Sequence, residues 1–70
     1  MERTPITSTN IKSVGYDKPS SLLEVEFTSG DVYRYFDIPE HLYQTFLHAS
    51  SFEDFLNDNI KFNYRYQKIS

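Results

Sequence analysis

Seventy residues make one domain, and ten acidic against seven basic side chains give a net charge of −3. That balance disfavours a strong non-specific nucleic-acid binder, which needs a basic face. The absence of cysteine excludes a disulfide staple, a thiolate metal site and a cysteine nucleophile, and fits a cytoplasmic protein.

Residues 1–6 read as a flexible lead-in, followed by a single domain over 7–70. Met1-Glu2-Arg3-Thr4-Pro5 precedes no hydrophobic stretch, and no apolar run nears the ~20 residues of a membrane span, so neither a signal peptide nor a membrane association is expected. A first strand is predicted around Ile11 to Tyr16, ending in a turn at Asp17-Lys18-Pro19-Ser20-Ser21. Leu22 to Phe27 alternates Leu23, Val25 and Phe27 against Glu24 and Glu26, the pattern of a half-buried strand. Asp31 to Phe36 forms the third.

The Thr28-Ser29-Gly30 connection fixes the register of this hairpin. A two-residue Ser-Gly loop suits neither favoured hairpin turn, whereas a three-residue loop puts Gly30 at the left-handed position. In that register Leu23 faces Tyr35, Val25 faces Tyr33, and Glu24 lies opposite Arg34. The tyrosines then turn inward with the apolar residues. A one-residue slip would place both beside glutamates.

Asp37-Ile38-Pro39-Glu40 begins a helix, with Pro39 in the first turn, and Leu42, Tyr43, Phe46 and Leu47 form its apolar stripe until about His48-Ala49. Ser50-Ser51-Phe52-Glu53 matches a capping box with Ser50 as the cap, and Phe52, Phe55, Leu56 and Ile60 make a second stripe. The predicted fold is α+β: a three-stranded antiparallel meander with two short C-terminal helices packed on one face. The tail from Lys61 to Ser70 fits either an edge strand or a segment lying across the helices.

Tyr-Arg-Tyr occurs twice, at Tyr33-Arg34-Tyr35 and Tyr64-Arg65-Tyr66. Two rings on one face of an extended segment can stack bases or can fill a core. Lys61, Tyr64, Arg65, Tyr66 and Lys68 interleave rings and cations with no acid among them, which makes this segment the candidate nucleic-acid interface. The same cations can instead be drawn to Asp37, Glu40, Asp54 or Asp58 within the fold. His41 and His48, seven residues apart, are too far separated on a helix to share one metal ion. With only Gly15 and Gly30 there is no phosphate loop, and no nucleophile elbow is present. Neither a catalytic site, a metal nor a cofactor is expected.

Several elements run in a recognisable order: Ser8-Thr9-Asn10-Ile11, Gly15-Tyr16-Asp17, Leu23-x-Val25-x-Phe27-x-x-Gly30, Tyr33-x-Tyr35, Ile38-Pro39 with Tyr43 and Leu47, Ala49, and Phe55-x-Asn57-x-x-Ile60 with Tyr64. Together they resemble the KTSC domain, a module named for the C-terminus of some lysyl-tRNA synthetases and found also as a stand-alone bacterial protein. The resemblance marks Tyr33, Tyr35 and Asn57 as signature positions, and the residue reading makes them structural, Asn57 as a buried amide bonded to backbone. Glu53 stands where related sequences tend to have glycine. The family brings no established activity; RNA binding is suggested for it only by association.

The expected function is a small non-catalytic binding module, a monomer or weak homodimer. Its partner is a protein, or alternatively RNA held weakly by the Tyr/Arg/Lys-rich tail.

Overall fold

In a computed structural model that describes residues 3–70, five antiparallel strands stand in sequence order, β1 (Thr4–Pro5), β2 (Ile11–Asp17), β3 (Leu22–Phe27), β4 (Val32–Tyr35) and β5 (Tyr66–Lys68). Between β4 and β5 lie helix α1 (Glu40–Leu47) and helix α2 (Phe52–Phe55), which runs on into a π-helical turn at Leu56–Lys61. The chain is thus α+β with an antiparallel sheet and two helices.

The sheet has five strands rather than the three that alternation predicts. Both additions are short edge strands whose partners, not their own patterns, define them. Thr4 and Pro5 pair with Val14 and Ser13, the Ile6 amide donates to the Lys12 carbonyl, and Arg3 reaches Glu24 at 3.4 Å. The expected loose lead-in is therefore paired structure from Arg3 to Ile6; Met1 and Glu2 lie outside the described residues. At the opposite edge the open choice for the tail resolves as a strand: β5 pairs Tyr35 with Tyr66, Arg34 with Gln67 and Tyr33 with Lys68.

The central hairpin has the register that Gly30 dictates. Leu23 faces Tyr35, Glu24 faces Arg34 and Val25 faces Tyr33, with Gly30 at φ 98°. A Cβ at Gly30 would meet nothing within 4 Å, so only the backbone resists substitution there. Gly30→Ala is expected to cost roughly 1–2 kcal/mol through its left-handed φ. A urea midpoint equal to that of the parent chain would show that the turn relaxes freely.

The sheet has two unlike faces. On the outer one, nearly buried Glu24 is held between Arg34 at 3.2 Å and Arg3 at 3.4 Å, and the Ser13 hydroxyl donates to Glu26 at 2.9 Å. The inner face gives Val14, Leu23, Val25 and Tyr35 to a core closed by Ile11, Ile38, Phe46, Leu56 and Ile60. The stripes of both helices therefore do what their spacing implies.

Two predicted helix starts shift. Pro39 is the N-cap of α1 rather than a residue of its first turn, and its carbonyl accepts from the Leu42 and Tyr43 amides. The cap of α2 is Ser51, whose side chain accepts from the Asp54 amide, so the capping box centred on Ser50 does not form. Glu53 is left free of the helix end and accepts instead from the Asn10 side-chain amide, tying α2 to the start of β2. Ser21 and Asp37 both have positive φ, and their turns meet where the Ile38 amide donates to the Ser21 carbonyl. Nearby, Tyr16 and Tyr43 stack at 4.7 Å, and the Tyr16 hydroxyl donates to the Ile38 carbonyl. Partial burial raises the Tyr43 phenol above its ordinary pKa.

A candidate recognition groove on the sheet

Side chains two residues apart on a strand share a face, so Tyr33 and Tyr35 of β4 both point inward. Pairing of β5 with β4 brings Tyr66 beside Tyr35 on that face. Ring centroids are 6.5 Å apart for Tyr33–Tyr35, 5.8 Å for Tyr33–Tyr66 and 5.6 Å for Tyr35–Tyr66. Phe27 adds an edge-on contact with Tyr33 at 5.6 Å. The helices cover the sheet incompletely at this corner. Leu56, Asn57 and Lys61 form one wall, Asn10 and Glu53 close one end, and the hairpin residues Thr28, Ser29 and Asp31 border the other side. The result is a groove of about 440 Å³ with an aromatic floor.

The three rings differ in exposure. Tyr35 is only 3% exposed and is a member of the core, Tyr33 is half-buried, and Tyr66 is 44% exposed. The Tyr35 hydroxyl forms no hydrogen bond to another described residue, yet no buried side-chain polar atom of the described residues is left unpartnered. Its oxygen is therefore not fully enclosed, and Tyr35 is one of the residues that line the groove. Burial first, then the neighbouring Tyr33 and Tyr66 phenols, push the Tyr35 pKa up to about 12, so all through the neutral range it stays a protonated phenol.

The expected sites on the tail come apart. Only Lys61 and Tyr66 line the groove. Tyr64 packs against the core. The Arg65 guanidinium lies 4.9 Å from the centre of the Phe36 ring, and Lys68 pairs with Asp31 at 3.3 Å. Asp31 was not among the acids proposed to draw these cations; of those, Glu40 instead holds Lys18 at 3.4 Å. The signature residues join the tail rather than standing apart from it. Tyr33, Tyr35 and Asn57 all line the groove, and Asn57 is exposed, not a buried amide bonded to backbone.

Asn10, Asp31 and Glu53 escape sequence reasoning because turns and helix ends far apart in the chain bring them together. Glu53 left a trace in its departure from the expected glycine. His41 and His48 are both exposed, and among the described residues no three His, Asp or Glu side chains gather as metal ligands. No helix of the described residues is long and apolar enough to cross a membrane.

Comparison with known proteins agrees with this architecture. A KTSC domain model matches residues 7–64. An uncharacterized protein of Stutzerimonas stutzeri strain A1501 is 40% identical over 70 residues, covering 99% of each chain. A Tsukamurella paurometabola protein is 33% identical over 61 residues, 87% of this chain and 91% of its own. The crystal structure of a KTSC domain protein from Yersinia pestis superposes with a TM-score of 0.94 at 35% identity, covering 99% of this chain and 97% of that one. With a family match across most of its length and relatives aligned nearly end to end, the chain belongs to the KTSC domain family.

Proposed function

We propose that this domain is a non-catalytic binding module whose ligand is a protein, recognised in the groove floored by Tyr33, Tyr35 and Tyr66. The observation that carries this reading is the convergence of the signature tyrosines and Tyr66 on one concave surface. Protein interfaces concentrate their energy in tyrosine, tryptophan and arginine anchors set in pockets, and concave aromatic sites with a few polar groups are the usual form of a recognition site.

The placement of cations favours protein over RNA. Lys68 is engaged by Asp31, Arg65 lies on Phe36, and Lys12 is on β2, three strand positions from β5 or roughly 14 Å away. A strand of phosphates needs a continuous basic track, and these side chains do not make one.

Affinity capture from cell lysate by the full chain, with and without nuclease, tests the reading. The expected result is one protein retained after nuclease treatment and lost with Tyr66→Ala. Because Tyr66 is half-exposed on an edge strand, that variant should lose only about 1 kcal/mol of stability and stay folded. Capture abolished by nuclease, or salt-sensitive binding of an oligo-RNA at about 20 mM salt, would move the function to nucleic acid.

A further inference from the structure

The groove has a charge as well as a shape. Its lining holds two carboxylates, Asp31 and Glu53, against one ammonium, Lys61, on a chain whose net charge is −3. Asp31 is balanced by Lys68, a pair exposed on both sides and so weak and exchangeable. Glu53 has no cationic partner among the described residues; its one hydrogen bond comes from the neutral amide of Asn10. The same groove is floored by the Tyr33 and Tyr66 rings, whose faces attract cations, with Arg the commonest occupant of such positions. A second observation is independent of the charges: Tyr35, 3% exposed and with no partner for its hydroxyl among the described residues, lines the same space.

Resting on the protein-partner reading, we infer that the groove takes a basic side chain, an arginine or lysine, presented by the partner. The cationic head lies over Tyr33 and Tyr66 and pairs with Glu53, and Asp31 exchanges Lys68 for it or shares it. The Tyr35 oxygen accepts a hydrogen bond from the incoming N–H group. Arginine fits better than lysine, because its planar fork can stack on a ring while it donates in that plane to a carboxylate. Glu53 in place of glycine then has a role: it gives this groove a carboxylate that a glycine cannot supply. The wall with Lys61 and Asn57 accommodates a carbonyl or an acidic neighbour in the same peptide.

The test titrates isotopically labelled full-length protein with three blocked pentapeptides, Gly-Gly-X-Gly-Gly with X as Arg, Gln or Glu, and follows backbone amide shifts. The expected result is shifts at Asn10, Asp31, Tyr33, Glu53 and Tyr66 with the Arg peptide and much smaller ones with Gln or Glu. Glu53→Gln keeps the acceptor for Asn10 while removing the charge, and should weaken Arg-peptide binding roughly three- to tenfold. Raising salt to about 0.2 M should weaken it too. Equal response to Arg and Gln, preference for Glu, or indifference to Glu53→Gln overturns the inference, as do shifts produced only by oligo-RNA or by raising the protein's own concentration. Preference for the Glu peptide would leave the protein-partner reading standing, because capture from lysate judges that separately.

Discussion

Phe46→Ala is expected to leave most of the population unfolded at room temperature. Phe46 is fully buried in the last turn of α1, and its ring meets Phe52 and Phe55 at 5.7 and 5.8 Å. It is the one residue of α1 that is wholly inside, so it joins that helix to α2 and both to the sheet. Truncating such a ring costs about 3–5 kcal/mol, because the cavity between two helices and a sheet cannot close fully. A domain of this size has roughly 4–10 kcal/mol of stability in total. Urea unfolding followed by far-ultraviolet circular dichroism measures the loss. Phe62→Ala provides the contrast: Phe62 is 81% exposed, and its removal should change stability by no more than about 0.5 kcal/mol. Equal effects of the two substitutions would show that the helices do not depend on Phe46.

What could be read from the chain, and what could not, divides along a physical line. The hairpin register was legible because alternation and one glycine constrain the same degree of freedom: Gly30 at φ 98° allows the pairing that buries Tyr35. The helix stripes were legible because Phe46, Leu56 and Ile60 recur at helical spacing. Strand β1 was not, and β5 was legible only as one of two options for the tail. Two or three residues carry no period, and those segments are extended because β2 and β4 offer them hydrogen bonds. The cap expected at Ser50 stands one residue later because Ser50 and Ser51 are equally good caps by composition, and it is the Ser51 side chain that accepts from the Asp54 amide. The π-helical turn was also hidden. Leu56 and Ile60, four residues apart, are compatible with either winding, and both are buried.

The same division explains the site. Tyr33, Tyr35 and the tail tyrosines stood out as rings in a pattern, but only Tyr66 of the tail joins the first two, and it does so because β5 lies against β4. Local charge misled in the tail. Lys61, Arg65 and Lys68 look like one basic cluster along the sequence, yet Lys61 ends the π-helical turn, Arg65 precedes β5 and Lys68 lies within it, and each meets a different neighbour. Asn57 was expected to be buried because polar residues inside apolar stripes usually are bonded there. It sits on the groove side of the π-helical turn instead, exposed.

Tyr35 couples the fold to the groove, and three substitution and pH results should separate its two parts. Tyr35→Ala removes a ring that is 3% exposed and packed against the core, and is expected to cost on the order of 3 kcal/mol. Tyr35→Phe keeps the ring and removes only an unpartnered hydroxyl, so at neutral pH stability should be nearly unchanged or slightly higher. The hydroxyl becomes visible at alkaline pH. Burial, reinforced by the Tyr33 and Tyr66 phenols, raises the folded pKa to about 12, against about 10 for an unfolded tyrosine. Between those values the unfolded chain loses a proton that the folded chain keeps, so folding weakens as pH rises; the stabilisation is complete below pH ~10 and gone above ~12. Relative to Tyr35→Phe, the parent chain should therefore lose about 1 kcal/mol by pH 11, a difference that cancels the titration of the other tyrosines. Urea unfolding of the parent and the two variants at pH 8 and 11 makes the measurement. Parallel alkaline losses in the parent and in Tyr35→Phe would place the Tyr35 hydroxyl in open water, and an undiminished Tyr35→Ala midpoint would take the ring out of the core.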